Sequence, residues 1–251
     1  MRFATLTLLV LLTGCVSTPP IPKTPLSTWT AAVGQIVAEQ DGVACTASLI
    51  APDVILSAAH CAFHQGMKIP ATHWRFTPNY GLTPALPSVA VLSYRAYGQF
   101  KGDDKDFSDT GGDWLIMQIE PISYVVPLAV AALDRPAIAA RLSQGDDIAY
   151  AGYGIYGVTS GWRQQVRTHC HVIDDKRVEE YYGPGAIATD CRVITGDSGG
   201  PIMLVGQDGR RRVVIGVVSS FGGNQRHPIS VGVLSTNFAS HVIFPASAAG
   251  P

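Results

Sequence analysis

The chain has 251 residues, 47% of them hydrophobic and 15% charged, with 18 basic against 19 acidic residues and a formal net charge of -1. That is enough apolar material for a substantial core and too little charge for a disordered chain. The near-balance gives no global field to attract nucleic acid, so no nucleic-acid partner is expected.

Residues 1–14 read as a signal peptide. Met1-Arg2 supplies a positive end, and the apolar run from Leu6 to Leu12 is too short to span a bilayer as a helix. The run leads into Leu12-Thr13-Gly14-Cys15, which resembles the bacterial lipoprotein cleavage box. The resemblance implies removal of the signal before Cys15, a lipid on Cys15 and anchorage to a membrane. An ordinary secretory signal with a chance cysteine is the blander reading. Val16, rather than an acidic residue, follows Cys15, and by resemblance to Gram-negative sorting this implies the outer membrane. Residues 15–30 are rich in Pro, Ser and Thr and read as an extended tether to a folded domain over 31–245.

Five cysteines are an odd count for an exported chain. With Cys15 set aside as the lipid site, four remain to pair in an oxidising compartment. The natural partition is Cys45 with Cys61 and Cys170 with Cys191, each closing a loop of roughly 15 to 20 residues and worth about 3 kcal/mol. A zinc site at His169-Cys170-His171 is the rival, but the CxxC-type spacing is missing, and no metal is expected.

From Val33 to Val242 the chain alternates short apolar runs with turn residues. Val54-Ile55-Leu56, Val89 to Leu92, Trp114 to Met117, Ile148 to Ala151 and Val213 to Val218 are of strand length and bounded by Gly, Pro, Asp or Ser. The 26 glycines and 17 prolines suit many turns, and few segments carry the spacing of a long amphipathic helix. An all-β fold of two small barrels fits the length, over about 31–125 and 140–240, with a seam in the proline-bearing stretch from Pro121 to Ala140. Arg210-Arg211-Arg212 follows Gln207-Asp208-Gly209 between two apolar runs, which reads as a solvated hairpin turn.

Three segments carry chemistry, in the order His, Asp, Ser. Val54 to Cys61 ends in Ser57-Ala58-Ala59-His60-Cys61, an imidazole at a strand end beside a half-cystine. Asp113 heads the apolar strand Trp114 to Met117. Asp106 and Asp109 lie in the same acidic loop, but only Asp113 leads directly into a strand; the loop could take calcium, with a solvated loop as the default. The third segment is Gly196-Asp197-Ser198-Gly199-Gly200-Pro201, whose glycines permit a turn that exposes the hydroxyl. His64, His73, His227 and His241 have no such setting and read as ordinary polar residues.

The blocks SAAHC, DWLIM and GDSGGP resemble, in order and spacing, the three signatures of the chymotrypsin/trypsin family of serine peptidases. The stretch Ala32-Val33-Gly34-Gln35-Ile36 leans toward the bacterial, glutamyl-endopeptidase-like branch. The resemblance implies two six-stranded antiparallel β-barrels with the active site in the cleft between them. It implies His60 as general base, Asp113 as its orienting carboxylate and Ser198 as nucleophile, with an oxyanion hole from the Gly196 and Ser198 N–H groups. Ser219, Ser220 and Phe221 match the strand that backs the triad carboxylate and lines the substrate groove. The implied partner is a protein or peptide substrate, and the chemistry needs no cofactor.

Two features depart from the pattern. No Arg or Lys immediately precedes Val33-Gly34, so either another protease clips there or Asp197 is satisfied internally and no cut is needed. Cys191 lies further before the nucleophile than usual, and counting back places Arg192 near the floor of the primary specificity pocket, where it would favour an acidic side chain. Two rivals remain: a non-catalytic envelope lipoprotein that binds through this fold, and an esterase with the same triad. The α/β-hydrolase version of the latter has the order Ser, Asp, His and is disfavoured.

Overall fold

The computed structural model describes residues 19, 21–64, 66–100, 107–155, 162–173, 176–209, 211–223 and 228–242. The signal peptide, Cys15, Asp106, Arg210 and His227 lie outside the described residues.

The first half folds as β1 (Val33–Ala38), β2 (Val43–Ala51), β3 (Val54–Ser57), β4 (Phe63–His64), β5 (Met67–Lys68), β6 (Trp74–Pro78), β7 (Val89–Tyr97) and β8 (Leu115–Ile119). Six of these close a barrel in the order β1-β2-β3-β8-β7-β6, while β4 and β5 form a separate small hairpin. Closure removes the open edges that a six-stranded sheet would otherwise expose.

The second half contains β9 (Ala129–Val130), β10 (Asp147–Ile155), β11 (Trp162–Cys170), β12 (Ala186–Thr189), β13 (Pro201–Val205), β14 (Arg212–Gly223) and β15 (Pro228–Leu234). They form one sheet ordered β11-β10-β13-β14-β15-β12, with β9 added parallel to β14. The ends of this path, β11 and β12, meet through an isolated bridge between Val172 and Thr189. The Cys170–Cys191 disulfide joins the same two edges, and Cys45–Cys61 forms in the first barrel, both as the cysteine partition anticipated. The all-β, two-barrel expectation is met, with the second barrel sealed by one bridge and one disulfide rather than a full ladder.

Among the described residues, three short α-helices decorate the sheets: α1 (Arg135–Ser143), α2 (Lys176–Tyr182) and α3 (Ala239–Val242). Asp134 caps α1 by accepting from the Ala137 N–H at 2.9 Å, with Pro136 in the first turn, where a missing N–H costs nothing. The expected seam therefore holds β9 and the start of α1. The turn after β13 is the expected hairpin: the Gly206 N–H donates to the Arg211 carbonyl and Gly209 adopts φ +63°.

Alternation along β10 joins the halves. Ala149, Ala151 and Tyr153 join the apolar cluster that contains the first barrel's core and runs into the second half, whereas Ile148 and Tyr150 belong to the core of the second barrel. One strand thus lends a face to each core, which fixes the relation between the barrels.

The chain joins the fold upstream of the expected boundary at residue 31. Leu26 bridges to Val125, and the 3₁₀ turn Trp29–Ala32 buries Ala31 and Ala32 completely. Val33 is wholly buried in the first barrel strand, paired to Ser48 of β2, and its carbonyl accepts from the Asn79 N–H. A cut before Val33 would fall inside packed structure, and its new terminus could move only if β1 were pulled from the barrel.

Candidate active site

Strand register brings the first two candidate residues together. β3 and β8 are antiparallel neighbours with Ser57 opposite Leu115. His60 lies three residues beyond Ser57 and Asp113 two residues before Leu115, so both emerge at one end of the barrel. There His60 Nδ1 lies 2.7 Å from Asp113 Oδ2, and the His60 backbone N–H donates to Asp113 Oδ1 at 2.8 Å. A two-point clamp of this kind fixes ring and main chain together, and it assigns the proton-accepting role to Nε2.

Asp113 is 2% exposed. Ser219 Oγ donates to its Oδ2 at 2.5 Å, reaching across from the second barrel. A bulge at Ser219, between the pairs Val218–Gly232 and Ser220–Val231, turns this residue out of the ladder register. Burial alone would raise the Asp113 carboxyl. The His60 charge, with hydrogen bonds from the His60 ring, Ser219 and the His60 N–H, outweighs burial and holds it below its ordinary value. The carboxylate is therefore ionised beside the imidazole.

Ser198 sits in the connection between β12 and β13. Gly196 and Gly199 adopt φ +96° and +84°, a region that β-carbons disfavour. Space demands glycine as well: a β-carbon on Gly199 would lie 2.2 Å from both Ser57 Oγ and the Thr46 carbonyl. This glycine thus packs the nucleophile turn against the strand end that leads to His60. The turn is pinned to β14 by Gly199 N–H to the Val218 carbonyl and Val218 N–H to the Gly200 carbonyl, both 2.8 Å. The Asp197 N–H is spent on Ile194 and the Gly200 N–H on Asp197. No described residue accepts from the Gly196 or Ser198 N–H, the two donors expected to bind an oxyanion.

Thr46, which nothing in the sequence singled out, stitches the halves. Its N–H donates to the Ser198 carbonyl, its Oγ1 donates to the Gly196 carbonyl and accepts from the Tyr153 N–H, each at 2.8 Å. Phe100 is a second residue the sequence did not flag: its ring centroid lies 6.1 Å from that of His60 and 5.8 Å from that of Phe63. An aromatic just upstream of the acidic loop was the available signal.

The remaining candidates divide. Ser219 backs Asp113 as expected; Ser220 is half-buried with its hydroxyl inside, and Phe221 is 53% exposed on the same strand. Arg192 is exposed between buried Cys191 and Val193. The zinc alternative fails on chemistry, because Cys170 is in a disulfide while His169 and His171 each turn Nδ1 to a carboxylate, Asp147 and Asp190, at 2.9 Å. His73 pairs with Asp41, and His241 stacks on Trp114.

Asp197 is as buried as Asp113, at 1% exposure, yet burial wins there and pushes its carboxyl up to about 6. The Tyr150 hydroxyl, the Ile194 N–H and the Arg167 charge oppose that rise. The family model described as Trypsin matches residues 23–242. No curated relative matches the chain.

Proposed function

The chain belongs to the trypsin family of serine peptidases, and from that we propose that it is an endopeptidase working through His60, Asp113 and Ser198. The observation that carries the reading is the double clamp of Asp113 on His60, backed by Ser219 from the second barrel.

In this mechanism His60 Nε2 takes the proton as Ser198 Oγ attacks the scissile carbonyl carbon. The carbonyl oxygen becomes an oxyanion held by the Gly196 and Ser198 N–H groups, each such donor being worth roughly 3 to 4 kcal/mol. Collapse breaks the C–N bond, the imidazolium protonates the leaving amine, and Ser198 carries the acyl group. Water then attacks that ester, its proton passing to His60 and back to Ser198 Oγ as the acid leaves. Asp113 stays ionised throughout and stabilises the imidazolium.

Arg192, six residues before Ser198 and exposed, is the residue proposed to favour an acidic side chain in the primary pocket. Cleavage of a peptide library mainly after Lys or Arg would overturn that part. Anchorage through a lipid on Cys15, in the bacterial outer membrane, is proposed on the leader alone; a Cys15→Ser chain should leave the membrane fraction.

The full chain and its Ser198→Ala variant, treated with a fluorophosphonate probe and read by intact mass, test the central claim. One adduct on the wild type and none on the variant supports an activated Ser198. No adduct on either would move the non-catalytic binding module ahead.

A further inference from the structure

Beside the nucleophile lies a buried ionisable group to which the mechanism gives no task. Asp197 adjoins the nucleophile, and nothing in the proton relay uses it. Its Oδ2 accepts from the Ile194 N–H at 2.9 Å, which closes the turn Ile194–Asp197 on itself. Its Oδ1 is wholly buried. It lies over β10, where a β-carbon on Gly152 would come within 2.7 Å of it and one on Gly154 within 3.0 Å. The same position on Gly152 is 1.9 Å from the Tyr150 hydroxyl oxygen. Two glycines on one face of β10 thus clear the space into which Oδ1 and the Tyr150 hydroxyl both point. The two oxygens face each other across that space, and a hydrogen bond from the hydroxyl favours the ionised carboxyl.

We propose that Tyr150 is a positioning residue which, through Asp197, holds the Ile194–Ser198 turn in its oxyanion-binding shape in the uncut chain. It rests on Ser198 being the nucleophile. The brace is complete as the carboxylate, because only then can both oxygens accept, Oδ2 from Ile194 and Oδ1 from Tyr150. Protonation turns one oxygen into a donor and loosens the pair. The groups that bear on Asp197 are Tyr150 on β10, Arg167 on β11 and the turn's own Ile194 N–H; Thr46 on β2 holds the neighbouring Gly196 carbonyl. Because these partners are internal, and Val33 is locked in a barrel strand, the turn needs no new chain terminus.

The test uses the full chain, wild type and Tyr150→Phe, with fluorophosphonate labelling rates from pH 5 to 9 and intact mass of the labelled species. The ratio of the two rates is the readout, since the His60 titration is common to both and cancels. Losing the hydroxyl raises the Asp197 carboxyl further, so the ratio should peak about tenfold between pH 6 and 8, with both chains uncut between Cys15 and Val33. A Gly152→Ala variant, which drives a methyl into both oxygens, should lose labelling similarly, and thermal melts confirm that each variant is folded. A flat ratio near one in a folded Tyr150→Phe, or label only on chains clipped between Cys15 and Val33, overturns the proposal and leaves the peptidase reading intact. No label on any form, cut or uncut, overturns the peptidase reading and this with it.

Discussion

Each half of the molecule buries one carboxylate beside the cleft, and the two behave oppositely. Asp113 at the rim of the first barrel and Asp197 in the second are 2% and 1% exposed, so depth cannot separate them. Asp113 faces an imidazole, a hydroxyl and a backbone N–H, and its carboxyl falls below the ordinary value despite burial. Asp197 faces the Tyr150 hydroxyl, the Ile194 N–H and the Arg167 charge, yet burial lifts it to about 6. A contacting charge strong enough to outweigh desolvation, as His60 is for Asp113, decides whether a buried acid stays charged. One carboxylate is therefore a fixed charge for the imidazolium, and the other a group poised to change state.

The most direct way to break the comparison is to neutralise the fixed charge. Asp113→Asn keeps the shape but cannot stabilise the imidazolium or hold the correct tautomer, so turnover should drop on the order of 10⁴-fold. Steady-state hydrolysis of a peptide reporter checks it. A loss under tenfold would mean that the clamp on His60 merely packs the site. The wild type should keep the Asp113 contribution down through mildly acidic pH, because a lowered carboxyl is lost only when pH falls through its folded value.

A second prediction probes how the two regions are joined. Thr46→Val is nearly isosteric, yet it removes the hydroxyl that serves the Gly196 carbonyl and the Tyr153 N–H. Both are left buried without partners, at about 1 to 3 kcal/mol each, so the fold should lose roughly 2 to 4 kcal/mol. Urea unfolding measures this through the midpoint. A change below about 0.5 kcal/mol, the size of the experimental error, would mean that water replaces the hydroxyl.

Much of this site was legible in the sequence because its chemistry is local. Ser57 to Cys61, Asp113 before an apolar strand, and a serine between glycines each state their geometry within a few residues. The cysteine partition was readable for the same reason, since both loops are short. What stayed hidden depends on registry between distant strands. Thr46 meets Ser198 only because β2 crosses under the nucleophile turn, and Tyr150 meets Asp197 only because Gly152 and Gly154 leave one face of β10 bare. The start of the fold was misplaced because proline-rich composition reads as tether, whereas Leu26 docks by a main-chain bridge that composition does not record. Val33-Gly34 looked like a chain start for want of the register that places it in mid-barrel.

The smallest expected effect is also the sharpest test of the comparison, because it should help one property and harm another. A folded value of about 6 against the ordinary 3.8 means that the folded state binds the Asp197 proton more tightly than the unfolded chain. Its stabilising contribution is therefore full below about pH 4 and is lost as pH rises through 6. About two units correspond to roughly 3 kcal/mol, reduced in practice because the carboxylate still accepts the Ile194 N–H. Asp197→Asn cannot ionise, so at pH 8 it should melt roughly 5 °C above the wild type, and the gap should close as pH approaches 4. The same variant should turn over more slowly at pH 8, since an amide offers one acceptor oxygen where the carboxylate offers two. Melting scans at both pH values, alongside turnover, decide it. If the variant melts lower at every pH, Asp197 is a stabilising charge like Asp113 and the contrast between the two carboxylates disappears.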